Sequence, residues 1–87
     1  MKSDLETKTL FERIIRAART GDYGRAASDL NILLANLQVE LSKGAVSAEK
    51  LSKLSYSLET MMAMKSMENW VAFADILEYE FMNLWET

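Results

Sequence analysis

The chain has 87 residues, a net charge of −3, and neither cysteine nor histidine. These counts exclude a disulfide framework, a thiolate zinc site and nucleophilic catalysis of the serine–histidine or cysteine–histidine kind. The length is that of one domain, residues 1–87, and three glycines with no proline are typical of an all-α protein.

The first predicted helix covers residues 4–20. Ser3 and Glu6 match a capping box, which would start this helix near Asp4 or Leu5. Gly21 fits the residue that follows a helix C-terminus, because glycine readily adopts the left-handed conformation needed there. Arginines recur at every third residue along this helix: Arg13, Arg16 and Arg19.

The second predicted helix covers residues 23–43, with Asp22 as its N-cap and Gly44 after its end. Its leucines recur with the clearest 3.6-residue period in the chain, whereas Ile32 and Val39 fall outside that stripe. A helix with such a widened apolar face is typically central in a bundle or covered by another subunit. Because this helix and the methionine-rich stretch at residues 61–67 both have excess apolar surface, we predict a homodimer.

Two further helices are predicted at 48–66 and 69–86. Ser47 would cap the first, and Asn69 is the best available cap for the second. Since no glycine or proline separates them, one long, kinked C-terminal helix is the alternative, which would leave three helices. The last stretch carries both tryptophans and two of the three phenylalanines on one face, so we expect the core to form between helix 2 and this helix.

These elements predict an all-α fold, an antiparallel four-helix bundle of short helices, because short loops force successive helices to run antiparallel. Residues 1–25 carry six basic and four acidic side chains, whereas residues 66–87 carry five acidic and no basic ones. We expect the first and last helices to pack side by side with complementary charge. The alternative is that one charged face meets a partner of opposite sign.

The carboxylates offer no arrangement suited to catalysis or metal binding. Asp75 and Glu78 lie three residues apart on one helix face, but di-metal bundles also need glutamates and Glu-x-x-His pairs on facing helices. The other helices offer only scattered glutamates. We therefore predict a non-enzymatic protein without a metal or cofactor.

Four arginines around the first corner could contact nucleic-acid phosphates, which makes a small nucleic-acid-binding regulator the alternative function. The acidic net charge argues against it, as does the shortage on helix 2 of side chains that read bases. The four residues are Arg13, Arg16, Arg19 and Arg25.

Four methionines fall within seven residues and cannot all face one core, because they point around the helix. Methionine is flexible and polarisable, and surfaces that accept varied apolar partners are rich in it. Either these residues fill gaps in a core that includes a dimer interface, or they form, with aromatic neighbours, a groove for an amphipathic helix. The predicted partner-binding residues are Met61, Met62, Met64, Met67, Trp70 and Phe73.

The stretch Asn69 to Glu80, and above all Ala74 to Glu80, resembles the final helix of small helical proteins associated with bacterial flagellar genes. Those proteins are similar in size and build to flagellar export chaperones, which are helical bundles that hold flagellar subunits before secretion. This chain is shorter than a typical chaperone of that group. The resemblance implies a bacterial, chaperone-like protein, with a flagellar protein as one candidate partner.

The predicted function is a protein–protein interaction module, chaperone- or adaptor-like, that binds an amphipathic helix of a partner. The N-terminal residues lack the apolar run of a signal peptide, and no window reaches the roughly 18 apolar residues of a membrane-spanning helix. We expect a cytoplasmic protein that does not enter a membrane.

Overall fold

Four helices account for most of the residues that the computed structural model describes, which are 5–44 and 46–86. No β-strand occurs within these ranges, so the all-α prediction is confirmed. The helices are α1 (Leu5–Arg19), α2 (Tyr23–Ser42), α3 (Ala48–Ser66) and α4 (70–86). Within α4, an α-helical segment Trp70–Ile76 is followed by a π-helical turn Leu77–Phe81 and an α-helical end Met82–Glu86.

The four helices form an antiparallel bundle with a radius of gyration of 12.2 Å. A folded chain of this length is expected to have a radius of about 12 Å, so the packing is as dense as in ordinary domains. The helix bounds lie within one residue of the predicted ones. The boundaries follow the predictions because hydrogen bonds close along the chain decide where each helix begins and ends.

The turn between α1 and α2 depends on Gly21, whose φ is +83°. The N–H of Asp22 donates to the carbonyl of Ala17 at 2.9 Å, which is the bond that closes a Schellman-type helix end. The carboxylate of Asp22 then caps α2 by accepting from the N–H of Arg25 at 3.4 Å. This glycine stop and this N-cap are confirmed, whereas the capping serine predicted for α1, Ser3, lies outside the described residues.

The turn between α2 and α3 follows the same local rules. Gly44, with φ of +72°, comes two residues after α2 ends. The hydroxyl of Ser47 accepts from the N–H of Lys50 at 3.1 Å and so starts α3. The predicted glycine and the predicted serine cap are both confirmed.

The chain breaks between α3 and α4 without a glycine or proline. Glu68 adopts the left-handed conformation with φ of 59°, and the N–H of Asn69 donates to the carbonyl of Met64 at 2.8 Å. Asn69 then caps α4 by accepting from the N–H of Ala72 at 3.2 Å. Four separate helices are confirmed, and the alternative of one long kinked helix is wrong, because Glu68 takes the position that glycine usually occupies.

The helices pack in the spatial order α2, α1, α4, α3. α1 lies against both α2 and α4, and α4 also lies against α3. The expectation that the core forms between helix 2 and the last helix is confirmed only in part: residues of both helices belong to one core, but α1 is the helix that packs beside α4. Phe11 and Ile14 of α1 are completely buried there, and the ring of Phe11 lies 6.1 Å from that of Phe81.

The π-helical turn keeps the apolar stripe of α4 on the core. Phe73, Leu77, Phe81 and Trp85 are all buried although each follows the last by four residues. In a regular α-helix, steps of four would rotate the stripe by about 40° each, and three steps would carry it about 120° away. The N–H of Met82 donates to the carbonyl of Leu77, and this wider turn sets the stripe back by about 100°.

The left-handed residue between α3 and α4 gives a stability prediction. Glu68→Gly should raise the free energy of unfolding by about 1 kcal/mol, because a side chain in this conformation costs about 1–2 kcal/mol and glycine escapes most of that strain. Urea unfolding followed by circular dichroism measures the change. Glu59→Gly, which places a glycine at an exposed position inside α3, is the control and should lower stability by about 1 kcal/mol; equal losses in both variants would contradict this account of the turn.

Candidate functional site

The edge of the bundle between α2 and α3 is open. Successive helices elsewhere in the bundle are close neighbours, whereas α2 packs mainly on α1 and α3 packs mainly on α4. A cavity of about 200 Å³ lies between them. The residues lining this cavity, called here the α2–α3 groove, are Leu34, Leu37, Gln38, Leu41, Leu51, Leu54, Ser55, Leu58, Phe81 and Trp85.

The two walls of the α2–α3 groove have the same leucine spacing. Three leucines on α2 and three on α3 follow steps of three and then four residues, which places each set along one face of its helix. Leu37 and Leu54 are buried, whereas Leu51 keeps 43% of its surface exposed. Each wall therefore has an inner leucine that belongs to the core and outer leucines that the core leaves partly uncovered.

The floor of the groove comes from the end of α4. The π-helical turn brings Phe81 and Trp85 onto the core face, where both side chains are buried. The ammonium group of Lys50 donates to the carbonyl of Trp85 at 3.4 Å, which ties the start of α3 to the end of α4. The floor is thus held by contacts between residues far apart in the chain.

The chemistry of the groove is almost wholly apolar. Gln38 and Ser55 are its only polar lining residues within the part of the chain that the structure describes, and neither carries a charge. Its volume is below the roughly 300–1,000 Å³ of typical small-molecule sites, and it suits one or two large apolar side chains. The groove is therefore suited to anchoring apolar side chains.

The predicted partner-binding residues do not form one surface. Met61 and Phe73 are completely buried, so they are core residues with no area for a partner, which corrects their assignment. Met62 and Met64 are half-buried against the core, and only Met67, at 68% exposure, is open. Three of the four methionines thus belong to the core or pack against it, and only Met67 points away from it.

The sixth predicted residue, Trp70, belongs to an aromatic contact at one end of the bundle. Its ring is stacked on that of Tyr23 with 5.1 Å between centroids, and it meets Phe73 edge to face at 5.3 Å. Tyr23 begins α2 and Trp70 begins α4. This contact fastens the start of α2 to the start of α4 and leaves Trp70 half-buried.

Sequence reasoning missed the groove although its leucines were part of the predicted stripes. A stripe shows which side of a helix is apolar, but it does not show whether a neighbouring helix covers all of that side. The signal available in the sequence was the repeated leucine spacing on two successive helices. It could have indicated two matched walls but not the gap between them.

The four arginines of the first corner do not form one free basic face. Arg13 contacts the carboxylate of Asp29 at 3.1 Å, and Arg25 contacts that of Asp22 at 3.4 Å. Arg19 turns toward α4 instead. Three of the four cations named for the nucleic-acid alternative thus have a carboxylate beside them.

Arg19 is the electrostatic link between α1 and α4. Its Nη2 atom lies 2.8 Å from Asp75 Oδ1 and 2.8 Å from Glu78 Oε1, and its guanidinium lies 5.9 Å from the ring centre of Tyr79. This confirms the expected charge complementarity of the first and last helices. The Arg19 guanidinium lowers the pKa of the Glu78 carboxyl, and the two carboxylates, Asp75 first, raise the pKa of Arg19.

Two further observations concern membranes and metals. Across 5–44 and 46–86, no helix has both the length and the apolar character needed to cross a bilayer. Within the same ranges, no three side chains of the metal-binding kinds gather at one point.

No family model, curated protein or solved structure matches this chain.

The Arg19 contact predicts a pH dependence. Because folding lowers the pKa of Glu78, this carboxylate stabilises the fold above its unfolded-state pKa, and the stabilisation is lost as the pH falls through its folded-state pKa. Glu78→Gln should therefore lower the free energy of unfolding near pH 7 and have little effect once the pH is below the folded-state pKa of Glu78, where this carboxyl is protonated in both states. Urea unfolding at a series of pH values measures this difference.

Glu80→Gln is the matched control for Glu78→Gln. Glu80 is exposed on the same helix and makes no ion pair among the described residues. Its replacement should leave the free energy of unfolding with the same dependence on pH as in the unmodified protein. If the Glu78 variant also gives a parallel profile, the contact with Arg19 does not stabilise the fold.

Proposed function

We propose that this chain is a non-enzymatic interaction protein, chaperone- or adaptor-like, that binds an amphipathic helix of another protein in the α2–α3 groove. The observation that carries the proposal is a row of leucines on each wall over an aromatic floor, in a gap that the fold itself leaves unfilled. A helix that presents apolar side chains at every third or fourth residue matches such walls.

The chemistry of the groove favours a helix over other occupants. The cavity is small for a cofactor, but large apolar anchors projecting from a helix fit a space of about 200 Å³. Its polar lining residues, Gln38 and Ser55, are uncharged, so binding would depend on apolar burial. Burial stabilises a complex by about 25 cal/mol per Å² of apolar surface, so two anchors would give only a modest affinity.

This proposal keeps the predicted function and moves the binding site. Met67 and Trp70 retain accessible surface, but Met61 and Phe73 do not, and the groove lies on other residues. The resemblance of Ala74 to Glu80 to flagellar-associated proteins suggests a helix of a flagellar subunit as the first natural partner to test. The proposal places this binding in the bacterial cytoplasm.

The groove is tested by direct binding of synthetic amphipathic helical peptides whose apolar faces carry leucine, phenylalanine or methionine. Trp70→Phe leaves Trp85, on the groove floor, as the single fluorescent reporter. We expect a saturable change in its emission and a dissociation constant on the order of micromolar. Leu51→Asp should weaken binding at least about tenfold, because it places an unpaired charge against apolar side chains.

Met67→Ser is the matched control, since Met67 is exposed, apolar and outside the groove. It should bind the peptides as the parent does. If Met67→Ser weakens binding and Leu51→Asp does not, the methionine surface is the site. If no peptide of the set changes the Trp85 emission, the proposed function is wrong.

We also propose that the chain forms a weak homodimer through the outer face of α2. Ile32 and Val39 lie seven residues apart on that face, away from the groove, and Val39 is 57% exposed. Ala35 lies between them and is also exposed. The exposed stripe formed by Ile32, Ala35 and Val39 therefore carries no charge. A second copy is a suitable occupant, because a two-fold contact sets each face against itself and an uncharged stripe avoids repulsion.

The dimer is tested by sedimentation velocity over a range of concentrations. This stripe is far smaller than the roughly 800 Å² per partner of a stable interface, so we expect dissociation in the range of tens of micromolar or weaker. Val39→Asp should abolish association and leave peptide binding intact, whereas Leu51→Asp should have the opposite effects. A constant monomer mass in the unmodified protein at such concentrations contradicts the dimer.

A further inference from the structure

A second depression lies at the corner between α1 and α2, and most of its lining residues are polar or charged. Its volume is about 230 Å³, and three arginines from the two helices meet there. The turn at Gly21 reverses the chain and brings the start of α2 beside the end of α1. The lining residues of this corner pocket are Arg13, Arg16, Ala17, Thr20, Asp22 and Arg25.

The guanidinium groups at the corner pocket have donors to spare. Arg13 contacts Asp29 through Nη2, and Arg25 contacts Asp22 through Nε. A guanidinium carries five N–H donors, so each of these contacts leaves most of them unused. At least half of the side-chain surface of Arg13 and of Arg25 is exposed, so these donors are accessible.

The charges around the corner pocket do not balance. Asp29 and Asp22 offset two of the three arginines, and the carboxylate of Asp22 is further engaged in capping α2. Arg16 makes no ion pair within the described ranges. Glu12, one turn earlier on α1, lines a neighbouring depression that Arg16 also lines. The lining of the corner pocket itself carries three guanidinium groups and one carboxylate, that of Asp22.

We propose that the corner pocket binds a phosphate group, either as inorganic phosphate or as the phosphate of a small phosphomonoester. Arginine is suited to phosphate because its planar group donates two parallel hydrogen bonds to two oxygens. Arginines from two helices can hold different oxygens of one tetrahedral group. The proposal is independent of the α2–α3 groove, which shares no lining residue with this pocket.

A single phosphate fits this corner better than a nucleic acid does. A polyanion needs a broad basic surface, because its affinity comes from many phosphate contacts together. Arg19, which would extend the basic surface along α1, is turned toward Asp75 and Glu78. The net charge of −3 also repels a long polyanion, whereas one small anion meets only the local charge.

The test is an NMR titration of the ¹⁵N-labelled full chain with inorganic phosphate, with chloride adjusted to hold the ionic strength constant. We expect saturable amide shifts within residues 13–25 and a dissociation constant on the order of millimolar. Arg16→Gln should weaken binding roughly tenfold, because it removes a charged hydrogen-bond donor. Arg16 is exposed, so its replacement leaves the fold intact.

Lys8→Gln is the matched control, because Lys8 is exposed on α1 outside the corner pocket and its replacement changes the net charge equally. It should bind phosphate as the parent does. Equal weakening in both variants, or shifts that do not saturate, would overturn the proposal. Saturable binding of a single-stranded oligonucleotide at residues 13–25 without any phosphate binding would also overturn it and would assign the corner to nucleic acid.

Discussion

The burial of the aromatic stripe on α4 is the constraint on which the rest of the structure depends. Phe73, Leu77, Phe81 and Trp85 repeat every four residues, a spacing that a regular α-helix cannot keep on one side. The π-helical turn solves this conflict by widening one turn of the helix. Because the whole stripe then faces inward, α4 becomes the central helix, with α1 on one side and α3 on the other.

The helix order explains why this bundle has one open edge. α1 is fastened to α4 by buried aromatics and by the contacts of Arg19 with two carboxylates. α2 packs mainly on α1, and α3 packs mainly on α4, so the two outer helices meet only along a gap. Their leucine rows face this gap over the floor that Phe81 and Trp85 provide. The π-helical turn of α4, which keeps the aromatic stripe on the core, thus also shapes the groove.

Two surfaces of opposite chemistry result from this arrangement. The α2–α3 groove is apolar and uncharged, which suits the apolar face of a helix. The corner between α1 and α2 gathers arginines from both helices, which suits a small anion. The methionines of α3 contribute little to either surface, because the core takes up most of them.

The sequence by itself determined the fold class and nearly all of the helix bounds, and it favoured four helices over three. Asp22, Ser47 and Asn69 act as caps through hydrogen bonds that close within a few residues, so local pattern was sufficient. Only the tertiary structure decided which helices are neighbours, why Met61 is buried while Leu51 is not, and where the π-helical turn falls. These features depend on contacts between residues far apart in the chain, and an apolar stripe on one helix carries no information about what covers it.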